Sequence, residues 1–231
     1  MFPANMSGQP TTQALRTFLG ARESSQHFRL ILPEFGSPGR LHGAAANQEF
    51  FYRGNAFAER DTRAASHIQT LLDQVVQAGN VSLQGAGNSV PPEQISFLFG
   101  SRSNWATAAL LKESGTNLFQ FEFGDDWSII CSGLRFSLPD PTILTPAKYA
   151  VADDYGVIAR VHSATGTAAF MIAGLGGRAT EGCGLYFREH WSQLDRRFGS
   201  KDFAVVLKFP APFDVKQAEV VASASELVRP S

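Results

Sequence analysis

Disulfide bonds, metal clusters and membrane spans have little support in this chain. Its 231 residues include two cysteines, Cys131 and Cys183, which are too few for a disulfide framework or a zinc site. No apolar run approaches the roughly 18 residues that span a bilayer, and the first ten residues lack the features of a secretory signal. We therefore expect a cytoplasmic protein without membrane contact.

An excess of basic residues is also missing, since 20 Lys and Arg stand against 21 Asp and Glu. General nucleic-acid binders usually present a basic face, so general nucleic-acid binding is not expected. The chain also lacks the P-loop, G-x-S-x-G, H-E-x-x-H and C-x-x-C motifs. Its five histidines have no metal-ligand spacing, and no metal site is predicted.

Strand and helix patterns alternate in the first half of the chain. Residues 28–33 and 95–99 are short, largely apolar runs typical of strands, and residues 81–84 are predicted to form another short strand. Residues 61–79 place apolar side chains on one helical face, with Asp61 as the expected cap and Gly79 as the expected stop. This alternation predicts a parallel sheet covered by helices on both faces.

The middle of the chain interrupts that alternation. Two strands are predicted at 117–123 and 127–132, followed by a proline-rich, irregular stretch at 134–146. A hairpin is predicted at 157–173, and a helix and a closing strand come after it. We therefore predict a three-layer α/β fold, Rossmann-like or flavodoxin-like, with a mostly parallel sheet and an antiparallel β insertion at about residues 117–162.

The predicted domain covers residues 27–210. Residues 1–26 are expected to be a partly mobile segment, and residues 211–231 a C-terminal tail. A long stretch rich in Gly, Ala and Asn at 34–60 is either a loop that covers a site or a disordered insertion.

Two predicted strands end at glycine and pass directly into a helix. The first junction supplies Gly100, Ser101, Arg102, Ser103 and Asn104, and the second Gly174, Gly176, Gly177, Arg178 and Thr180. Such junctions direct free backbone N–H groups beyond the strand end, where an anion can bind. With Arg63 from the first long helix, they predict a site for a nucleotide or another small phosphorylated molecule. One shared site requires Gly100 and Gly174 to lie at the same edge of the sheet, and we predict that they do. Ordinary helix capping accounts for the same residue types, so a structural role stays open.

Known cofactor fingerprints match only in part. Residues 174–179 fit G-x-G-x-x-A, but the next strand ends at Phe209 without the acidic residue that holds a ribose. Residues 100–104 resemble the phosphate loops of flavin-dependent reductases, although that loop normally follows the first strand. The cofactor is left unidentified, as a nucleotide-like anion, with flavin as an alternative.

Catalysis and protein binding are the two other hypotheses. As a hydrolase acting on a nucleotide-like ligand, the protein would use Asp61, Asp154 or Glu181 as acid or base. Asp154 belongs to the pair Asp153-Asp154, which is equally typical of a turn. As an interaction module with a vestigial pocket, the protein would bind a partner through a sheet edge or through residues 34–60.

Three stretches together resemble a poorly characterised group of bacterial Rossmann-like domains. They are Asp61 to Ile68, Phe99 to Asn104, and the pair Asp154 to Arg160 with Ile172 to Glu181. The resemblance implies a sensory or regulatory module with a nucleotide-like ligand. This chain departs from the group's pattern at Ser101-Arg102, where a proline is usual, and at residues 178–180, where Gly-Thr is usual.

Overall fold

A computed structural model describes residues 12–21, 23–35, 40–42, 49–51, 56–77, 79–86, 94–102, 104–142, 144–163 and 165–227. The helices are α1 (Thr12–Leu19), α2 (Glu59–Leu72), α3 (Trp105–Ser114), α4 (Pro146–Ala150) and α5 (Gly177–Phe198). The strands are β1 (Phe28–Leu32), β2 (Glu34–Phe35), β3 (Arg40–His42), β4 (Glu49–Phe51), β5 (Ala56–Phe57), β6 (Val81–Gly85), β7 (Ile95–Phe99), β8 (Phe119–Phe123), β9 (Asp126–Cys131), β10 (Leu134–Pro139), β11 (Asp154–His162), β12 (Ala168–Gly174), β13 (Asp202–Phe209) and β14 (Glu219–Glu226).

Seven strands form one mixed sheet in the order β14-β13-β11-β12-β7-β1-β6. Strands β6, β1, β7 and β12 are parallel neighbours, whereas β11, β13 and β14 are joined by antiparallel pairing. The predicted hairpin is confirmed as β11 and β12, and it reverses the chain direction in the middle of the sheet. The sheet is thus parallel in one half and antiparallel in the other, where a mostly parallel sheet was predicted.

Different helices pack on the two faces of the large sheet. Helices α1, α2 and α5 pack on one face, where apolar side chains of β1, β7, β12 and β13 form the main core. Helix α3 packs on the other face, where Ala106 meets Ile31 and Leu98. Every side chain of β7 is buried, as expected for a strand covered on both faces.

The predicted β insertion forms a separate three-stranded antiparallel sheet in the order β10-β9-β8. Phe119, Trp127, Ile129 and Cys131 point inward and pack on the second face of the large sheet, beside α3. Residues 134–139 were predicted to be irregular, but they form β10, because Leu138 has an apolar face to bury against the same core. Strand β11, predicted as part of the insertion, belongs to the large sheet.

Both ends of the chain add elements outside the predicted limits of 27–210. In α1, Leu15, Phe18 and Leu19 are buried in the main core, and the Phe18 ring lies 6.0 Å from that of Phe170. Strand β14 extends the large sheet next to β13. The expected mobile segment and tail therefore both contain packed elements, while residues 1–11 and 228–231 lie outside the described residues.

The segment that leads into α2 forms two small antiparallel strand pairs, separate from the seven-stranded sheet. Strand β2 pairs with β5 immediately after β1, and β3 pairs with β4 further along.

Helix α2 starts at Glu59 with Ala58 as its N-cap, which corrects the prediction that Asp61 caps it. It ends at Leu72 rather than near Gly79.

Candidate functional site

The two glycine junctions lie side by side at the edge of the large sheet that is formed by the carboxyl ends of its parallel strands. Strands β7 and β12 are parallel neighbours in which Phe99 is opposite Ile172. The Gly100 amide donates to the Ile172 carbonyl at 3.0 Å, and Ser101 Oγ donates to the Gly174 carbonyl at 2.9 Å. The prediction that Gly100 and Gly174 share a sheet edge is confirmed.

That edge contains a topological switch point. The chain leaves β1 toward α2 on one face of the sheet, and it leaves the neighbouring β7 toward α3 on the other. Two connections that diverge in this way open a crevice beyond the carboxyl ends of the strands, which is where open α/β sheets bind ligands. The first turns of α2, α3 and α5 all lie at this edge.

Polar side chains of the first junction bind the strand ends. Asn104 is fully buried, accepts from the Ala106 amide at 3.0 Å, and donates to the carbonyls of Ile31 and Phe99 at 3.1 and 2.8 Å. It therefore caps α3 and bridges β1 and β7. Gly100 has φ +80°, which favours glycine at this turn. Arg102 is exposed, with its guanidinium 5.2 Å from the centre of the Trp127 ring, and Ser103 lies outside the described residues.

At the second junction, a carboxylate of the protein itself occupies the position that was predicted for a bound anion. Asp154 is completely buried, and its carboxylate accepts from the amides of Gly176 at 3.0 Å, Ala179 at 3.1 Å and Tyr155 at 2.9 Å. Tyr149 Oη donates to it at 2.8 Å. Burial raises the pKa of Asp154, and these hydrogen bonds oppose that rise. The carboxylate thus occupies the N-terminus of α5, the position expected for a ligand phosphate.

Close packing explains the glycines of this junction. A Cβ at Gly176 would lie 2.6 Å from Oδ2 of Asp154, and one at Gly174 would lie 2.5 Å from the Thr180 amide nitrogen. One at Gly177 would meet the Arg60 side chain at 3.2 Å. These residues are small because the Asp154 carboxylate and the first turn of α5 approach the strand end closely.

Arg178 also has internal partners. Its guanidinium stacks 3.7 Å from the centre of the Tyr149 ring, and it donates to the carbonyls of Tyr149 and Ala152. Only 8% of the residue is exposed. Arg178 therefore ties the C-terminal end of α4 to the start of α5.

The remaining candidates form a charged cluster between α2 and α5. Glu181 binds Arg60 and lies 3.6 Å from Arg63, which also pairs with Glu59 at 2.6 Å. Thr180 Oγ1 accepts from the Gly174 amide at 3.0 Å and is hydrogen bonded to Asp61. Burial raises the pKa of Asp61 to about 6, although the bond from Thr180 opposes that rise.

Two residues of the site and one neighbouring cavity were not predicted from the sequence. Tyr149 and Arg60 contact Asp154 and Glu181 across separations of 5 and 121 residues, which no motif spacing indicates. A cavity of about 490 Å³ lies between α3 and β8, and Ser101 of the first junction is among its lining residues. The alternating aromatic residues of β8 were the available signal for this cavity.

Within the described ranges, no group of three or more His, Cys, Asp or Glu side chains is placed to hold a metal ion. No helix of that part of the chain has the length and apolar character required to cross a bilayer. Comparisons with protein-family models, curated proteins and solved structures found no match.

Proposed function

We propose that this protein is a ligand-binding domain for a nucleotide or another small phosphorylated molecule. The observation that carries the proposal is the switch point, where the connections after β1 and β7 leave on opposite faces next to both glycine junctions. A Rossmann-like or flavodoxin-like ancestry and a sensory role are part of the same proposal. The predicted resemblance to bacterial sensory domains is consistent with it.

The cations that would meet the ligand are Arg60, Arg63 and Arg102. Arg63 and Arg60 belong to the first turns of α2, and their side chains are 52% and 42% exposed. Arg102 is exposed in the turn before α3. Arg178 is buried, and the amides of Gly176 and Ala179 bind Asp154, so in this proposal they shape the edge. Arg60 and Arg63 are more exposed, and on binding a phosphate they would exchange their contacts with Glu181 and Glu59 for the ligand.

A thermal-shift screen with nucleotides, flavin mononucleotide, cyclic dinucleotides and inorganic phosphate tests the proposal. A ligand at about 100 times its Kd should add about 2.7 kcal/mol to the free energy of unfolding. Arg102→Ala and Arg63→Ala should weaken binding. Arg196→Ala, an exposed position in the last turn of α5, is the matched control and should not. Absence of any shift, or equal binding by all three variants, would overturn the proposal.

Hydrolysis of the ligand is the second candidate, because the pKa of Asp61 lies at about 6 beside the edge. A carboxyl group with that pKa can exchange a proton near neutral pH. Release of phosphate or of a free base from any compound in the panel, abolished in Asp61→Asn, would support it. If a ligand binds but no product is released, the result favours ligand sensing over hydrolysis.

A further inference from the structure

Arg102 differs from the other arginines at the sheet edge where the ligand is proposed to bind. Arg60 and Arg63 form ion pairs between α2 and α5, and Arg178 donates to backbone carbonyls. The Arg102 guanidinium has neither a hydrogen bond nor an ion pair with any of the described residues. It is exposed and lies over the Trp127 ring, 5.2 Å from the ring centre.

The Trp127 ring that faces this arginine is itself held firmly. Trp127 lies at the start of β9, is only 8% exposed, and belongs to the core between the small and the large sheet. Phe123, its partner across the β8–β9 pair, meets it edge to face with the ring centres 5.3 Å apart. A cation–π contact with an immobile ring restricts the long Arg102 side chain, which would otherwise rotate freely in solvent.

This contact leaves the hydrogen-bond donors of Arg102 available. An indole has no acceptor atom, so the ring attracts the charge of the guanidinium without accepting its N–H groups. A pair of those donors matches the oxygens of one phosphate group. The preceding residue, Ser101, binds the Gly174 carbonyl, so the arginine side chain starts from the ends of β7 and β12. A phosphate held by Arg102 would therefore lie where the first glycine junction meets the start of β9.

One acidic side chain acts on the same arginine. The Asp140 carboxylate accepts from the Thr142 amide and hydroxyl at 2.8 and 2.6 Å. The hydroxyl bond is the main cause that lowers the pKa of Asp140, and the Arg102 charge adds to it. Among the described ion pairs none joins Asp140 to Arg102, so the carboxylate acts through space. It would repel an incoming phosphate and so reduce the affinity of the site.

We propose that Trp127 is a positioning residue that holds Arg102 for paired hydrogen bonds to the phosphate group of the ligand. The inference rests on the proposed function, because it requires a phosphorylated ligand at this edge. Arg102 supplies its hydrogen bonds without breaking an ion pair, whereas Arg60 and Arg63 have carboxylate partners to give up. Through Trp127, the small sheet becomes part of the binding site.

Calorimetric titration with inorganic phosphate and adenosine monophosphate tests the role of Trp127. Trp127→Leu should weaken binding about two- to fivefold, the size of an exposed cation–π contact. Trp127→Phe keeps an aromatic face and should stay within about twofold of wild type. In the Arg102→Ala background, Trp127→Leu should have no further effect on the Kd, because Trp127 acts through Arg102. A merely structural Trp127 would weaken binding equally in both backgrounds.

Arg102→Lys tests the paired hydrogen bonds without changing the core. An ammonium group keeps the charge but loses the planar pair of donors, so affinity should fall at least about tenfold. Arg63→Lys is the matched control, since Arg63 is an exposed arginine of the same edge for which the described residues provide no ring contact, and it should lose less. Asp140→Asn should tighten binding, because it removes the repelling charge.

Thermal unfolding first checks that each variant is folded. If Trp127→Leu does not fold, the comparison of Arg102→Lys with Arg63→Lys decides. No binding of either probe to the wild-type protein would overturn the proposed function and this inference with it. Binding that depends on Arg102 but is unchanged by Trp127→Leu, or that falls equally in the two lysine variants, would overturn this inference alone.

Discussion

The Asp154 carboxylate accepts a hydrogen bond from the Gly176 amide at 3.0 Å, and this contact joins the start of β11 to the start of α5. A helix N-terminus carries partial positive charge and unpaired N–H groups, which together attract an anion. Here the anion is a buried side chain of the same protein. The glycine-rich turn is therefore built around an internal carboxylate, and a ligand phosphate would have to bind elsewhere on this edge.

Replacing Asp154 with asparagine should destabilise the protein. Each carboxylate oxygen accepts at least one backbone N–H, so an amide NH₂ in either orientation faces a donor. A buried donor without an acceptor costs about 1–3 kcal/mol. Urea unfolding of Asp154→Asn should show at least that loss.

The neighbouring Asp153 provides the control for this change. It pairs with Lys208 at 2.7 Å, and its side chain is 37% exposed, so Asp153→Asn should cost less than about 1 kcal/mol. If both variants unfold at the same urea concentration, Asp154 does not support the N-terminus of α5 as described.

The sequence correctly predicted those features of this edge that depend on residues close together in the chain. Helical spacing indicated α2, and a run that is apolar except for Ser96 indicated β7. The junction glycines were placed correctly because parallel strands end at a common edge. Asp154 was identified only as a candidate acid, since nothing in the sequence pairs it with an amide 22 positions later. Its role depends on the antiparallel entry of β11 beside β12, which is a property of the strand order.

Asn104→Ala should be among the more destabilising substitutions at the first junction. The change removes the cap of α3 and two hydrogen bonds to the carbonyls of Ile31 and Phe99, all of them buried. We expect a loss of about 3 kcal/mol in urea unfolding. Asn104→Asp keeps the cap acceptor but not the two donors, so it separates bridging of the strands from capping.

Thr145→Ala is the matched cap variant. Thr145 accepts from the Lys148 amide at 3.3 Å on the exposed helix α4, and its removal should cost about 1 kcal/mol or less. Equal losses for Asn104→Ala and Thr145→Ala would mean that Asn104 acts as a simple cap.

Helices α2 and α5 should not tolerate a methyl group at their crossing. A Cβ at Gly184 would lie 2.8 Å from Cα of Ala64 and 2.9 Å from its carbonyl oxygen, which are backbone atoms that cannot rotate away. Gly184→Ala should therefore destabilise the protein by about 1–3 kcal/mol, despite the better helix propensity of alanine. Gly124→Ala is the control, because its nearest neighbour would be the Asp126 carbonyl at 3.9 Å and its φ is not positive. A Gly184→Ala variant as stable as Gly124→Ala would contradict the close crossing.

Asp61 should make the protein less stable as pH rises. Burial holds its pKa at about 6 in the folded state, against an ordinary value of 3.8. Below pH 3.8 Asp61 is protonated in both the folded and the unfolded protein, so its burial as a neutral group costs no stability through titration. Between pH 3.8 and about 6 the unfolded chain loses the proton first, so stability falls, by about 3 kcal/mol in total at higher pH.

Comparison with Asp61→Asn isolates that contribution, because the other titrating groups are shared by both proteins. The free energy of unfolding of wild type minus that of the variant should fall between pH 4 and about 6 and then level off. Asp140→Asn is the control: a hydrogen bond from the Thr142 hydroxyl lowers the pKa of this exposed carboxyl, so its contribution is lost only as pH falls below 3.8. Parallel unfolding curves for wild type and Asp61→Asn would show that Asp61 titrates alike in both states, and would remove the basis for a proton-transfer role at this edge.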